Sequence, residues 1–178
     1  VELDNNFLDD DFVRIAEEEQ LYEREEEAHE NAKTKIIEVL DRDDRLEKVA
    51  QDIAYHFPRR GFLGKAMVVS VTKYTAVKMY DKVQKYWKQE IQNLYIERNT
   101  LKPSDKEKLK EINGMIDYME KTEMAVVISE AADEEAKFKA KGLNIKPHRD
   151  LMNAIDKDGN DIEDRFKNSQ DPLRLVFG

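Results

Sequence analysis

The sequence predicts an α/β protein in which an incomplete parallel sheet follows an N-terminal helical segment. Three short apolar runs, at residues 66–71, 124–129 and 173–177, have the length and composition of buried strands. Helical periodicity fills the segments between these runs, and such alternation is typical of βαβ units. We therefore expect a helical segment over residues 1–62 and the sheet-bearing part over residues 63–178.

The first part of the chain has the pattern of long amphipathic helices. Apolar residues recur at helical spacing over residues 12–22 and 36–40, and again over residues 46–57, where Pro58 ends the pattern. Glutamate-rich runs lie between residues 17 and 27. Such runs are usually a solvated helix face, and the alternative is a docking surface for another protein.

Helices are also predicted after the first strand. An apolar stripe over residues 76–87 predicts one helix directly behind the run at 66–71. A second helix is predicted to open at Pro103 and Ser104, because Ser104 and Glu107 have the spacing of a capping box.

The last third repeats the alternation. The run at 124–129 is followed by a charged helix or turn over residues 131–140 and by a short helix over residues 161–168. The run at 173–177 then ends the chain. Because a buried strand normally has further chain around it, we expect this chain to be a fragment.

Composition restricts the class of protein without naming a function. The chain has 178 residues and a net charge of -9, which disfavours a stand-alone nucleic-acid binder because phosphate binding needs clustered cations. The chain has no cysteine, which excludes disulfides and thiolate zinc sites and fits a reducing compartment. No apolar run has the length of a membrane span, and we expect a cytoplasmic protein.

The local motifs for catalysis or metal binding are weak. Asp156 opens a segment that resembles a calcium loop, but the loop glycine is replaced by Asp161 and the closing glutamate by Lys167, so a polar turn is predicted. The three histidines have no partner at metal-ligand spacing and are predicted at the surface or at helix ends: His29, His56 and His148. The chain contains no GxSxG or GxxxxGK[ST] motif, so no catalytic or metal-binding residue is assigned.

The carboxyl ends of the predicted strands are the best candidate site, because ligands of parallel α/β sheets bind there. Ser70, Thr72 and Lys73 follow the first strand, and Ser129 ends the second run. Hydroxyls, a lysine and helix-start amides can bind a phosphate. Serine and threonine are also ordinary N-caps of helices, and this alternative stays open.

Several phrases, in this order, resemble the restriction (motor) subunit of type I restriction-modification enzymes. They lie at residues 43–53, 64–70, 76–80, 161–167 and 171–177. The second is a Lys-Ala-Met-Val-Val strand, the third is an Ala-Val-x-x-Tyr helix, and the last two resemble the approach to helicase motif V.

The resemblance implies part of the second RecA-like domain of a superfamily 2 motor, which pumps and cuts DNA using ATP and Mg. It implies duplex DNA and the modification and specificity subunits as partners of the parent. It also implies DNA-backbone contacts by Thr72 and Lys73, supported by Ser70. Thr72 and Lys73 stand where the family usually has a Ser-Arg pair, and lysine cannot make the bidentate phosphate contact of arginine. At Ser129 the following Glu130 adds an anion, which argues against a DNA contact.

The parent's ATP-binding and nuclease motifs lie outside this sequence, so the isolated chain is expected to lack ATPase and nuclease activity and to hold no cofactor. Two other functions stay open. The chain could be a non-enzymatic acidic domain that binds a partner protein, or a lobe of another superfamily 2 DNA helicase.

Overall fold

A computed structural model describes residues 25–61 and 64–178 of the chain. The predicted helix over residues 12–22 and most of the glutamate-rich segment lie outside these residues. The chain consists of two compact units, within which residues contact one another more than they contact the other unit: residues 1–46 and 47–178. The predicted domain boundary between residues 62 and 63 stays a prediction.

The first unit contains α1 (Glu25–Leu40) and the beginning of α2 (Asp43–His56). The turn between these helices is held by the Arg45 side chain, which donates to the Leu40 carbonyl at 3.0 Å. Asp44 accepts from Arg42 at 3.0 Å, and this hydrogen bond lowers the pKa of the Asp44 carboxyl. At its other end α2 passes into a 3-10 turn at Phe57–Arg59, so the predicted stop at Pro58 is confirmed.

The second unit is built on three parallel strands. They are β1 (Ala66–Val68), β2 (Glu123–Val126) and β3 (Leu173–Phe177), in the sheet order β1-β3-β2. The predicted mixed α/β class and the parallel sheet are therefore confirmed. The last strand in sequence lies in the centre, where its Val176 pairs with Met67 on one side and Ala125 on the other.

After the end of α2, the described residues of this unit form the helices α3 (Lys73–Thr100), α4 (Lys106–Lys121), α5 (Glu134–Ala140), α6 (Lys146–Met152) and α7 (Ile162–Lys167). One face of the sheet packs on α3, whose Tyr80 ring meets the Phe177 ring edge-on at 5.7 Å. The Trp87 indole donates to the Met119 carbonyl at 2.9 Å and so joins α3 to α4. On the other face, Leu151, Ile162 and Phe166 pack against Ala125, Leu173 and Val176.

The prediction of a buried first strand is wrong. β1 ends at Val68, although Ser70 continues its pairing by donating its N–H to the Gly178 carbonyl. Met67 is 57% exposed and Val69 is 80% exposed, because the described residues that cover this face reach β2 and β3 but not β1. Met124–Val126 and β3 are buried as predicted apart from the half-buried Arg174, but the predicted second strand over residues 124–129 ends at Val126, and Val127 is 38% exposed.

The structure also differs from the sequence predictions at the start of α4 and at α6. Ser104 does not cap α4, because the Asp105 carboxylate accepts from the Lys102 N–H at 3.1 Å and Asp105 itself becomes the residue before the helix. The sequence pattern did not predict α6, a helix of 7 residues with Pro147 in its first turn.

The calcium-like segment is a polar turn, as predicted. The Asp156 carboxylate accepts from the N–H groups of Asp158 and Asn160 at 2.8 and 2.9 Å, which lowers the pKa of Asp156. Gly159 has a φ of 87°, which only glycine adopts without strain. Within residues 25–61 and 64–178, no helix combines the length and apolar character that crossing a membrane requires.

Candidate functional site

The predicted site residues lie where β1 ends and α3 begins. The Thr72 hydroxyl oxygen accepts from the Thr75 N–H at 3.1 Å and lies 2.7 Å from the Thr75 hydroxyl. Thr72 is therefore the N-cap of the 28-residue helix α3. The sequence had left this capping role open as the alternative to a phosphate contact. This role fixes where α3 starts and leaves the predicted DNA contact untested.

Lys73 joins the ends of the two outer strands. Its ammonium donates to the Ser129 carbonyl at 2.7 Å, across the carboxyl edge of the sheet. The segments after β1 and β2 thus meet at one edge, as parallel strands require. The backbone carbonyl of Ser129 makes this contact, whereas the sequence had drawn attention to its hydroxyl.

Ser70 lies on the same edge, beside the central strand. Its N–H donates to the Gly178 carbonyl at 2.6 Å, and the Gly178 N–H donates to the Val68 carbonyl at 3.0 Å. The Ser70 hydroxyl is buried and has no hydrogen-bond partner among the described residues. Burying a hydroxyl without a hydrogen-bond partner costs free energy.

Arg149 is the residue of this edge that the sequence gave no reason to choose. Its Nε and Nη2 atoms donate to the two carboxylate oxygens of Glu134, both at 2.8 Å. Nη1 donates to the Ile128 carbonyl at 3.1 Å, and Nη2 reaches the Ser129 carbonyl at 3.5 Å. A single arginine in a short helix, 20 residues from the carbonyl that it binds, leaves no local signal in a sequence.

The Arg149–Glu134 pair is largely shielded from solvent, with side chains 17% and 11% exposed. The hydrogen bond from Arg149 lowers the pKa of the Glu134 carboxyl, and the same bond raises the pKa of Arg149. Both groups are therefore charged at neutral pH, and the pair ties α5 and α6 to the segment that follows β2.

The histidines differ in burial. His56 ends α2 and lies 3.4 Å from Asp52. His148 lies in the first turn of α6 but is buried, with its ring 4.7 Å from the Tyr80 ring. Burial lowers the pKa of His148, and the nearby Asp81 opposes this shift. The side chain of His29 lies outside the described residues.

A lysine and the start of a long helix at this edge suit an anion, whereas the guanidinium of Arg149 is bound to Glu134. Among residues 25–61 and 64–178, no three His, Asp or Glu side chains are grouped so that they could hold a metal ion.

Sequence comparison links part of the chain to restriction systems. A stretch of 85 residues is 34% identical to the "Putative type I restriction enzyme MjaIXP endonuclease subunit" of Methanocaldococcus jannaschii. This stretch is 47% of the present chain and 8% of that relative. No family model matches the chain. No solved structure matches it either.

Proposed function

We propose that this chain is part of the ATP-dependent, DNA-translocating and DNA-cleaving restriction subunit of a type I restriction-modification system. The observation that carries the proposal is the 34% identity, over 85 residues, to a protein named as the endonuclease subunit of a type I restriction enzyme. The ordered phrases between residues 43 and 177 resemble the same family.

Within that subunit the chain would form part of the second RecA-like helicase domain. Three parallel strands and a long helix that starts at the carboxyl end of β1 are compatible with this assignment. Lys73 would supply the positive charge for the DNA backbone, Thr72 would fix the start of α3, and Ser70 would support the edge. Duplex DNA and the modification and specificity subunits would be the partners.

ATP and Mg would be bound by other parts of the parent subunit. The chain has no GxxxxGK[ST] phosphate loop, and ATP in such motors lies between two lobes. The isolated chain should therefore hydrolyse neither ATP nor DNA.

The test replaces Thr72 and Lys73 with alanine in the full subunit and measures translocation on duplex DNA. We expect slower translocation, because the variant loses one cation at the DNA path and the cap of α3. Lys88→Ala is the matched control, because it removes the same charge from an exposed position of the same helix. Translocation equal to that of the control would refute the DNA contact.

The net charge of -9 favours a second function, a non-enzymatic acidic domain that binds a partner protein. Sequencing the gene on both sides of this segment separates the two. A phosphate-loop motif upstream and an arginine-bearing helicase motif downstream would support the motor, and a short reading frame without them would support the interaction domain.

A further inference from the structure

We propose that Arg149 is a positioning residue that holds Lys73 at the DNA-contacting edge, an inference that rests on the function proposed above. Arg149 would act through the Ser129 carbonyl rather than by touching DNA. The sequence resemblance assigns no role to this arginine.

The first step is the fixation of Arg149 itself. Two parallel hydrogen bonds at 2.8 Å join its guanidinium to Glu134, and such bidentate pairs fix direction as well as distance. The Glu134 carboxylate is itself held, because it accepts from the Ala131 N–H at 3.3 Å. The planar fork of Arg149 therefore has one orientation in this fold.

In the second step, the fixed guanidinium of Arg149 orients the backbone of the segment after β2. Arg149 donates to the carbonyls of Ile128 and Ser129, the two residues at which the run leaves the sheet. The peptide planes there are consequently set by a side chain of α6, since β2 itself ends at Val126.

The third step reaches the predicted DNA contact. The Ser129 carbonyl that Arg149 approaches also accepts from Lys73 at 2.7 Å. An ammonium has three donors, so this bond directs the Lys73 side chain without using the whole group. A phosphate contact by Arg149 itself is the competing idea, but its Nε and Nη2 already bind a carboxylate, the group that a phosphate would have to displace.

A first experiment tests the geometry in the full subunit without DNA. Competitive amine labelling, read by mass spectrometry, gives the labelling rate of Lys73 relative to the exposed Lys88. In Arg149→Gln we expect this ratio to rise about two- to tenfold, the range that corresponds to loss of one hydrogen bond. Lys146→Ala should leave it unchanged, because it removes the same charge from the same helix while its side chain is 64% exposed and pairs only locally with Asp150.

Glu134→Gln provides a second route if Arg149→Gln does not fold, as judged by circular dichroism. It keeps Arg149 and removes the charge that orients it, so the labelling ratio should rise in the same direction. An unchanged ratio in whichever of these variants is folded would overturn the positioning role.

A second experiment separates this role from the proposed function. Duplex-DNA affinity of the full subunit is measured at several salt concentrations for Lys73→Ala, for Arg149→Gln and for the double variant. We expect Lys73→Ala to reduce the salt dependence by about one phosphate contact, and Arg149→Gln to have no further effect in that background.

The outcomes are distinct. If Arg149→Gln lowers the DNA affinity equally in the wild-type and the Lys73→Ala backgrounds, the positioning role is overturned and the DNA contact of Lys73 stands. An affinity unchanged in Lys73→Ala would refute the DNA contact, and the positioning role with it.

Discussion

The strands β1 and β2 come from similar runs of sequence yet have different surroundings. Residues 66–71 and 124–129 each combine alanine, methionine and valine and end near a serine. Ala125 of β2 is 0% exposed, whereas Met67 of β1, which projects from the same face of the sheet, is 57% exposed. Both strands lie at the outside of the three-stranded sheet that the structure describes.

The difference lies in what packs on them. Met67, Val176 and Ala125 are register partners and therefore project from the same face of the sheet. Residues of α6 and α7 pack over Val176 and Ala125. An apolar run in the sequence thus shows that a strand can be buried. Whether it is buried depends on the helices that follow later in the chain.

The largest expected effect compares the buried methionine of β2 with the exposed methionine of β1. Met124→Ala should lower the free energy of unfolding by about 2–5 kcal/mol, because it leaves a cavity in a packed core. Met67→Ala, the same change at the exposed position of β1, should cost less than about 1 kcal/mol. Urea unfolding of both variants gives the comparison, and equal losses would mean that Met67 is packed as tightly as Met124.

The next effect concerns the group that fastens α7 beside the covered strands. Asp171 accepts from Arg165 through both carboxylate oxygens at 3.1 Å, and from the Leu173 N–H at 2.8 Å. Asp171→Asn should cost about 1–3 kcal/mol, because Arg165 would lose the more buried of its two carboxylate partners and keep only Glu123, whose side chain is 53% exposed. The control Glu163→Gln affects an exposed pair with Lys167 and should cost less than about 0.5 kcal/mol. Matching unfolding midpoints would show that the Arg165–Asp171 pair contributes nothing.

A pH effect is expected where Glu47 of α2 accepts hydrogen bonds from α3. Hydrogen bonds from Lys82 and then Tyr86 lower the pKa of Glu47 from 4.5 to about 2. Because this pKa is lower in the folded state, the stabilisation is complete above about pH 4.5 and is lost as the pH falls towards 2. Unfolding midpoints between pH 7 and 3 should fall less steeply in Glu47→Gln. Parallel curves for the two proteins would contradict this role of Glu47.

The smallest effect is expected at the exposed end of the first run. Val69→Thr should change the free energy of unfolding by less than about 0.5 kcal/mol, because Val69 is 80% exposed. Val126→Thr is the contrast, since it places a hydroxyl at a fully buried position and should cost about 1–3 kcal/mol. Thermal unfolding measures both, and a large loss in Val69→Thr would reveal cover over Val69.

Much of the fold could be predicted because its signals are local. The end of α2 follows from Pro58, and the buried β3 follows from a short apolar run that contains one charged residue, Arg174. The exposure of Met67 could not be predicted, since it depends on helices far along the chain. The helix α6 escaped notice because 7 residues give too few turns for a periodic pattern.

The candidate site was also predictable from the sequence only in part. The meeting of the segments after β1 and β2 follows from parallel pairing, and Lys73 does contact Ser129. The capping role of Thr72 was one of two alternatives that composition could not separate. Arg149 could not be found from spacing, because only the folded chain brings its guanidinium to the Ser129 carbonyl.

The central position of β3 also sets the order of events during synthesis. Ala66 and Met124 both pair with Leu175, so neither outer strand has its sheet partner until residues 173–177 have left the ribosome. Until then the valines of β1 and β2 are exposed on a nascent chain, and long-range parallel pairing is slow to form. A trigger-type chaperone that shields apolar segments should therefore increase the yield of folded protein, and slowing translation before residue 173 should lower it.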